Sequence, residues 1–541
     1  MIRRETATHP GGPPTGAACC EVSCPQTVLL SRTNDLDSWK MSDHRASLRS
    51  AGWVNLLSFA QLVVQFAFQT LLARYFGAGA EMDAFVAAIS LPTFISSVFF
   101  NSLGYALVPV LSRKLVEQDL DSAWSSANNL LTLLGVTTGF AAMILAVFAN
   151  PLVRLLFPGY AGQQAALTAE LVRVLACLIV TNSLIAYSQA VHHSHRRFIT
   201  PALSPVVGIL TTLLIVACLP SRSMLTVAWA VVAGSAVVAL LQLSWPLRHY
   251  RLRLRPGSDT YQFLRLCAPL ILGAAYYRLD PLIDRYLASF LPTGSVAHLG
   301  YASRLVTALL MVSSSGLSVV AFPSFAQQQA AASTEGLARE VAHAIRCMIA
   351  IIVPIIVGLG CYSTPVIRDL FERGRFTATD THTVSLLLLL YLGMIVGGAF
   401  GDVAAKIFYS LSDTRTPTVI GCIGFTLGLG LKLTLVPSMG VAAIALATSL
   451  YYLLNLALMG WLIWKRLGGL LLQGVARACA RSLLASLAAV LLAAPVVFSG
   501  IPLSSFVGAV AGAGAYFLAL FLLKDEMALR LWDYLRHLRG A

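Results

Sequence analysis

The chain has 541 residues, of which 57% are hydrophobic and only 11% are charged, and its formal net charge is +14. Soluble proteins carry about 25% charged residues, so this composition excludes a soluble globular protein. Apolar segments of about 20 residues, the length that crosses a bilayer as a helix, recur about fourteen times between Trp53 and Leu523. We therefore predict an all-α polytopic membrane protein, because lipid offers no hydrogen-bond partner to an open backbone.

The first 48 residues differ from the rest of the chain. They are rich in Pro, Gly and Thr and lack apolar periodicity, so we predict a disordered tail. Met41 begins a short basic lead into the first span and is a candidate start, which would make the first forty residues dispensable. The fourteen predicted spans then follow at 52–74, 84–111, 127–149, 167–190, 200–218, 224–247, 263–290, 297–325, 342–365, 383–410, 416–435, 440–464, 477–498 and 501–523.

An internal repeat relates the first six spans to the next six. LVRLLFPGY (152–160) resembles VIRDLFERGRF (366–376), and Arg154 matches Arg368 at an offset of 214. Two further matches have nearly the same offset: Pro109 with Pro323, and Pro201 with Pro417. Because each unit has an even number of helices, the halves run parallel around an axis along the membrane normal, and such halves usually enclose a central cavity.

The repeat and the composition define the expected domains. We predict a disordered tail at 1–48, a six-helix lobe at 49–250, a second six-helix lobe at 260–466, two extra transmembrane helices at 475–523 and a short cytoplasmic tail at 524–541.

The positive charge lies in short loops, as expected for cytoplasmic loops of membrane proteins, and not in a nucleic-acid-binding surface. Even-numbered loops carry thirteen basic residues against six in odd-numbered loops and their edges, so we expect both termini in the cytoplasm. The run Arg248–Arg255 is expected to anchor the topology and to contact anionic membrane lipid. We expect no nucleic-acid partner.

Cysteines and nucleotide motifs indicate no cofactor. Seven of the ten cysteines lie in or beside apolar helices, where a thiol behaves as a small apolar group. Cys19, Cys20 and Cys24 cluster in the tail without a second pair or a histidine to complete a metal site. The chain lacks a G-x-x-x-x-G-K-[ST] phosphate loop. We therefore expect no metal, no ATP hydrolysis and no catalytic residue.

Charged residues inside a span are candidate functional residues, because each is costly there. Arg278 and Arg285 in the seventh span are seven residues apart and share one helical face, whereas Asp280 and Asp284 share another. We expect the arginines to face a cavity, since a guanidinium can grip phosphate oxygens with two hydrogen bonds. The alternative is that Arg285 and Asp284 lie at the periplasmic end and meet water.

Two later spans also contain charges. Asp402 and Lys406 are four residues apart and are predicted to pair on one face, for which a structural role is favoured over ion coupling. Lys432 is a lone cation in a Gly-rich helix. It either contacts substrate as a cavity cation, or its aliphatic stem lets the ammonium snorkel outward.

Four stretches resemble signature segments of the MurJ/MviN family of lipid II flippases, within the multidrug/oligosaccharidyl-lipid/polysaccharide exporter superfamily. They are LLARYFGAGAEMDAFVAAISLPTF (71–94), LIDRYLASFLPTGSVAHLGYASRL (282–305), LFERGRFTATDT (370–381) and AKIFYSLSDTRTP (405–417). The resemblance implies a V-shaped fold of fourteen helices around a central cavity. It also implies transport of an undecaprenyl-pyrophosphate-linked cell-wall precursor from the inner to the outer leaflet of the inner membrane by alternating access, alongside cell-wall or polysaccharide synthesis machinery.

The resemblance also implies residue roles. Arg304 stands at the family's eighth-helix arginine, Asp83 at its first-loop aspartate and Arg74 at the arginine before its FGAG turn. With Arg278 and Arg285 these form the predicted substrate-binding set.

The chain departs from the family's cationic pattern at four places. Leu62, Phe68, Ser96 and Ser97 stand where the family has arginines. This departure keeps three other functions open: export of an undecaprenyl-linked exopolysaccharide or O-antigen repeat unit, small-molecule antiport, and a non-transporting scaffold role. The antiporter would require an acidic, cation-binding cavity, whereas the candidate residues here are mostly arginine.

Overall fold

The computed structural model describes residues 27–117, 120–195, 197–218, 223–250, 276, 278–330, 334–469, 474–499, 501 and 503–523. The chain divides into two units, Met1–Asn55 and Leu56–Ala541. The cavity and contacts described below all lie in the second unit.

The predicted disordered tail is wrong for residues 27–48, which are helical. Helix α1 runs Thr27–Phe76, and no Gly or Pro interrupts the sequence from Thr27 to Ala51. Extending a helix that has already formed costs little, so the first span continues toward the N-terminus despite its polar sequence. Residues 1–26 lie outside the described part of the chain.

Helices continue through the first predicted half, joined by short turns. The fourth predicted span forms two helices that meet at Ala176. After α1 the elements are α2 (Ala80–Val116), α3 (Leu120–Val147), α4 (Ala149–Leu156), α5 (Gly162–Leu175), α6 (Cys177–Ser194), α7 (Ile199–Cys218), α8 (Met224–Leu243) and a 3-10 turn at Pro246–His249.

The second half is built in the same way and is followed by two further helices. Its elements are α9 (Asp280–Ser289), α10 (Ser295–Ala330), α11 (Thr334–Phe371), α12 (Ala378–Leu390), α13 (Leu392–Ser410), α14 (Arg415–Met439), α15 (Val441–Leu467), α16 (Val475–Val497) and α17 (Ser504–Leu522).

Thirteen helical segments in the described residues are long and apolar enough to cross a membrane. They coincide with thirteen of the fourteen predicted spans. The remaining one, 263–290, lies largely outside the described residues, which include its end as α9. The prediction of an all-α polytopic membrane protein is therefore confirmed.

The turn between α13 and α14 is fixed by Asp413, outside the spans. Its carboxylate accepts hydrogen bonds from the backbone N–H and hydroxyl of Thr416, at 3.0 and 2.8 Å, and from Arg466 at 3.0 Å. These hydrogen bonds, chiefly that from the Thr416 N–H, lower the pKa of Asp413 to about 2. The turn therefore keeps an ionised carboxylate at every physiological pH.

One hydrophobic core joins the two halves. Leu72 and Phe85 from the first half are fully buried in the same cluster as Val296 and Phe371 from the second. These residues lie near the turns that follow α1, α9 and α11. We call this region, where the halves meet, the closed end.

Two glycines bring the backbones of the halves together at the closed end. A Cβ atom on Gly159 would lie 1.8 Å from the carbonyl oxygen of Ser289, and one on Gly374 would lie 2.2 Å from that of Arg74. Arg74 and Gly159 each precede their counterparts, Ser289 and Gly374, by 215 residues. The same contact thus occurs twice, which supports the duplication inferred from the sequence.

Candidate substrate cavity

A cavity of about 450 Å³ lies between α1 of the first half and helices of the second. This volume is in the range of small-molecule sites. Its wall is largely apolar, with Leu62, Phe66, Leu299 and Met311 among the lining residues. The charged groups on that wall are Asp280, Asp284, Arg285 and Arg304.

Arg285 and Arg304 reach the cavity from α9 and α10. Arg285 donates from Nη1 to the carbonyl oxygen of Pro281 at 2.5 Å, and its buried Nε has no partner among the described residues. Within the same part of the chain, no hydrogen bond or ion pair binds the Arg304 guanidinium, and its charge interacts unfavourably with that of Arg285. Although Asp280 and Asp284 lie on the same wall, neither guanidinium forms an ion pair with a described residue, so both are available to bind an anion.

A row of amide side chains was missed by the sequence reading. Gln61, Gln65 and Gln69 on α1 all line the cavity. Their spacing of four residues within an apolar span predicts one polar helical face, since residues four apart share a face. The row was not predicted because only charged residues within the spans were treated as candidates.

Lys432 neither snorkels outward nor lines the cavity, so both interpretations of this residue were wrong. Its ammonium donates to Asp280 Oδ1 at 2.5 Å and Asp284 Oδ1 at 2.6 Å, and the side chain is only 1% exposed. Tyr451 donates its hydroxyl proton to Asp280 Oδ2 at 2.7 Å. The ammonium therefore pairs with both carboxylates, and neither cavity arginine forms an ion pair with them.

Asp83 is buried and lies outside the cavity, contrary to its predicted role in binding substrate. Its Oδ2 accepts the backbone N–H of Gly294 at 2.6 Å and its Oδ1 accepts that of Ala297 at 2.7 Å. These N–H groups belong to the first turn of α10, where a helix attracts negative charge. Tyr301 adds a hydrogen bond to the carbonyl oxygen of Gly77 at 3.0 Å. Asp83 thus ties the first half to the second at the closed end.

Arg74 and Arg278 were also expected to bind substrate, but both are exposed and neither lines the cavity. The Arg74 carbonyl oxygen accepts the backbone N–H of Arg375 at 3.1 Å. The shared face inferred for Arg278 and Arg285 required one unbroken helix. Instead α9 begins at Asp280 with Pro281 in its first turn, and a proline is well placed there but not within a helix.

The pairing predicted in the tenth span is confirmed. Lys406 donates to Asp402 Oδ2 at 2.8 Å on α13, with both side chains partly exposed. Neither residue lines the cavity, which supports a structural role for the pair.

The four positions that depart from the family's arginine pattern differ in location. Leu62 lines the cavity, whereas Phe68 is buried and packs in the core. Ser96 and Ser97 donate their hydroxyl protons to backbone carbonyl oxygens of α2. The cavity therefore has an apolar side chain at one position where the family is cationic.

Asp83→Asn is expected to loosen the closed end, because an amide nitrogen replaces one acceptor and faces an N–H donor. A hydrogen bond to a charged group contributes about 1.5–3 kcal/mol, so opening should become about tenfold more frequent or more. The frequency of opening is measured as the rate at which a membrane-impermeant maleimide labels Ser303→Cys, a cavity residue, in a cysteine-free variant. Asp121→Asn, the same substitution at an exposed carboxylate in the first turn of α3, is the control. An unchanged rate in Asp83→Asn would contradict this role.

The chain is similar in sequence to proteins named as lipid II flippases. The sequence profile of the family described as lipid II flippase MurJ matches residues 72–510. A probable lipid II flippase MurJ of Vibrio cholerae is 26% identical over 447 residues, covering 79% of this chain and 83% of the relative. One of Thermotoga maritima is 27% identical over 389 residues, covering 71% and 78%.

The fold is similar to that of a solved lipid II flippase MurJ in an inward closed conformation. The TM-score is 0.74 at 20% identity, over 88% of this chain and 99% of the other. At this identity the likeness establishes the fold, and the sequence profile, which covers most of the chain, establishes the family. This multi-pass membrane protein belongs to the MurJ family.

Proposed function

We propose that this protein moves an undecaprenyl-pyrophosphate-linked cell-wall precursor, of the lipid II type, from the inner to the outer leaflet of the bacterial cytoplasmic membrane by alternating access. It acts as a transporter and breaks no bond of its cargo. The relatives named as lipid II flippases support the substrate class.

The observation that carries this proposal is that the guanidinium groups of Arg285 and Arg304 lie on the cavity wall and form no ion pair with any described residue. Lys432 binds the nearby carboxylates of Asp280 and Asp284, so three cations face two anions in this region. A pyrophosphate presents several negatively charged oxygens, which can accept hydrogen bonds from planar guanidinium groups. A cationic drug, the typical cargo of an antiporter, would be repelled.

The closed end supports the transport mechanism. Backbone contacts through Gly159 and Gly374 and the carboxylate of Asp83 join the halves there. Alternating access requires such contacts to form and break around a fixed site. We assign the closed end to the periplasmic side and both termini to the cytoplasm, on the distribution of basic loop residues.

Arg304→Ala and Arg285→Ala test the proposal. Each charge-assisted contact with phosphate contributes about 1.5–3 kcal/mol, so each variant should bind farnesyl pyrophosphate about ten- to a hundredfold more weakly. Both should fail to replace a depleted lipid II flippase while expressing normally. Lysine at either position should restore only part of the affinity, because it keeps the charge but not the planar fork.

Arg373→Ala is the matched control, since this arginine is exposed and lies outside the cavity. Wild-type binding and transport in both cavity variants would disprove the cationic-cavity mechanism.

The apolar Leu62 on the cavity wall favours a second candidate. A cavity with fewer cations than the family pattern fits a different lipid-linked glycan, such as an exopolysaccharide or O-antigen repeat unit. The depletion experiment separates the two: rescue of cell-wall synthesis supports the lipid II type, and failure of a well-expressed wild-type protein supports the repeat unit. In either case we propose that glycan synthesis machinery supplies the cargo.

A further inference from the structure

The arginine site does not account for the glutamine row on α1. Gln61, Gln65 and Gln69 follow one another at four-residue spacing, about 6 Å along a helix, and all three line the cavity. Gln61 and Gln65 are partly exposed, whereas Gln69 is 1% exposed. The row therefore runs from the open part of the cavity to a fully enclosed position.

Gln69 has no hydrogen-bond partner among the described residues. Neither Oε1 nor Nε2 is bonded, although both atoms are buried. Exchanging the two atoms by rotating the amide changes nothing, since both lack a partner. Buried polar groups are nearly always hydrogen-bonded, and an unpaired one destabilises the fold. An unpaired amide on the wall of a ligand-sized cavity therefore indicates a binding group.

The chemistry of the amide defines what it binds. A glutamine side chain both donates and accepts hydrogen bonds. Ionised pyrophosphate only accepts, so it would leave Gln69 Oε1 unpaired. Sugar hydroxyl groups and acetamido groups donate and accept, and they satisfy both atoms. The amides are also uncharged, so they suit the neutral part of a headgroup whose anionic part is held by guanidinium groups.

We propose that Gln61, Gln65 and Gln69 form a saccharide subsite that binds hydroxyl and acetamido groups of the lipid-linked glycan, with Gln69 at its enclosed end. The inference rests on the proposed function, because it assigns two parts of the headgroup of one lipid-linked glycan to two surfaces of the cavity. Arg285 and Arg304 hold the pyrophosphate, and α1 holds the first sugar. The amides thereby give the cavity a preference for glycosylated over bare polyprenyl pyrophosphate.

The test compares two probes on the full chain in lipid nanodiscs: farnesyl pyrophosphate, and the same lipid carrying one N-acetylhexosamine. Gln69→Leu keeps a side chain of similar volume and removes both polar atoms. It should weaken binding of the glycosylated probe about tenfold, the loss expected from two hydrogen bonds, and leave the Kd of the bare probe unchanged. It should also raise the Tm of the ligand-free protein, because two unpaired buried atoms disappear.

Gln242→Leu is the matched control. Gln242 is also fully buried and lies outside the cavity, but its Nε2 donates to Ser204 Oγ at 2.7 Å and only its Oε1 lacks a partner among the described residues. This variant should lower the Tm and change neither Kd. For Gln69→Leu, a lower Tm, equal weakening of both probes or no weakening of either would each overturn the subsite. If the wild type binds neither probe, the proposed function itself fails.

Discussion

Lys432→Met should remove most of the folded protein, because it leaves two carboxylates without their ammonium partner. The Lys432 side chain is 1% exposed and bonds Asp280 and Asp284 at 2.5 and 2.6 Å. Breaking a buried ion pair by removing one member typically costs about 3–5 kcal/mol. The expected result is a strongly reduced yield of monodisperse protein and a lower Tm, measured by size-exclusion chromatography and thermal unfolding in detergent.

A compensating variant separates charge from packing. Lys432→Met combined with Asp280→Asn and Asp284→Asn removes the two carboxylates together with their ammonium partner, so most of the lost stability should return. Arg466→Met is the control: it breaks a partly exposed pair with Asp413, and exposed ion pairs contribute little to stability. A single Lys432→Met variant as stable as the wild type would contradict the internal counter-ion role.

The combined Gly159→Ala and Gly374→Ala variant should force the closed end apart. Each added methyl group would lie within 2.2 Å of a backbone carbonyl oxygen of the other half. Backbone cannot move aside as a flexible side chain does, and overpacking costs about 1–3 kcal/mol at each site. Gly374 also has a φ of +66°, which adds strain for alanine. Spin labels on Arg154 and Arg373 should report a longer distance than in the wild type.

Gly358→Ala provides the control for the added methyl group. Gly358 lies in α11, and a Cβ there would meet nothing within 4 Å. Alanine is the better helix former, so this variant should keep the wild-type distance between the labels. An unchanged distance in the double variant would show that the closed end does not depend on these contacts.

The apolar spans were predictable because a bilayer imposes one length and one composition on every helix that crosses it. Arg304 was predictable from its signature stretch. Lys432 was not, because its partners are about 150 residues away on another helix. Nor was Asp83, since its partners are backbone N–H groups, which sequence does not distinguish. The helical residues 27–48 escaped prediction because their polar sequence resembles a tail.

The reciprocal glycine contacts are arranged like those in the interface of a symmetric dimer. In a symmetric homodimer, residue i of one subunit contacts j of the other while j contacts i. Gly159 with Ser289 and Gly374 with Arg74 repeat this relation within one chain. The closed end thus corresponds to a two-fold dimer interface whose two subunits are joined in one chain. Once they are joined, each copy can change its sequence independently.

That divergence is visible in the membrane. At the offset of 215 residues, Gln65 and Gln69 are the counterparts of Asp280 and Asp284. At the offset of 216 that relates Pro201 to Pro417, the counterpart of Lys432 is Val216. One copy has neutral amides and an aliphatic residue where the other has two carboxylates and the ammonium that pairs with both. An ancestral pair of identical faces has therefore become one uncharged and one ionic wall, which a homodimer of identical subunits could never present together.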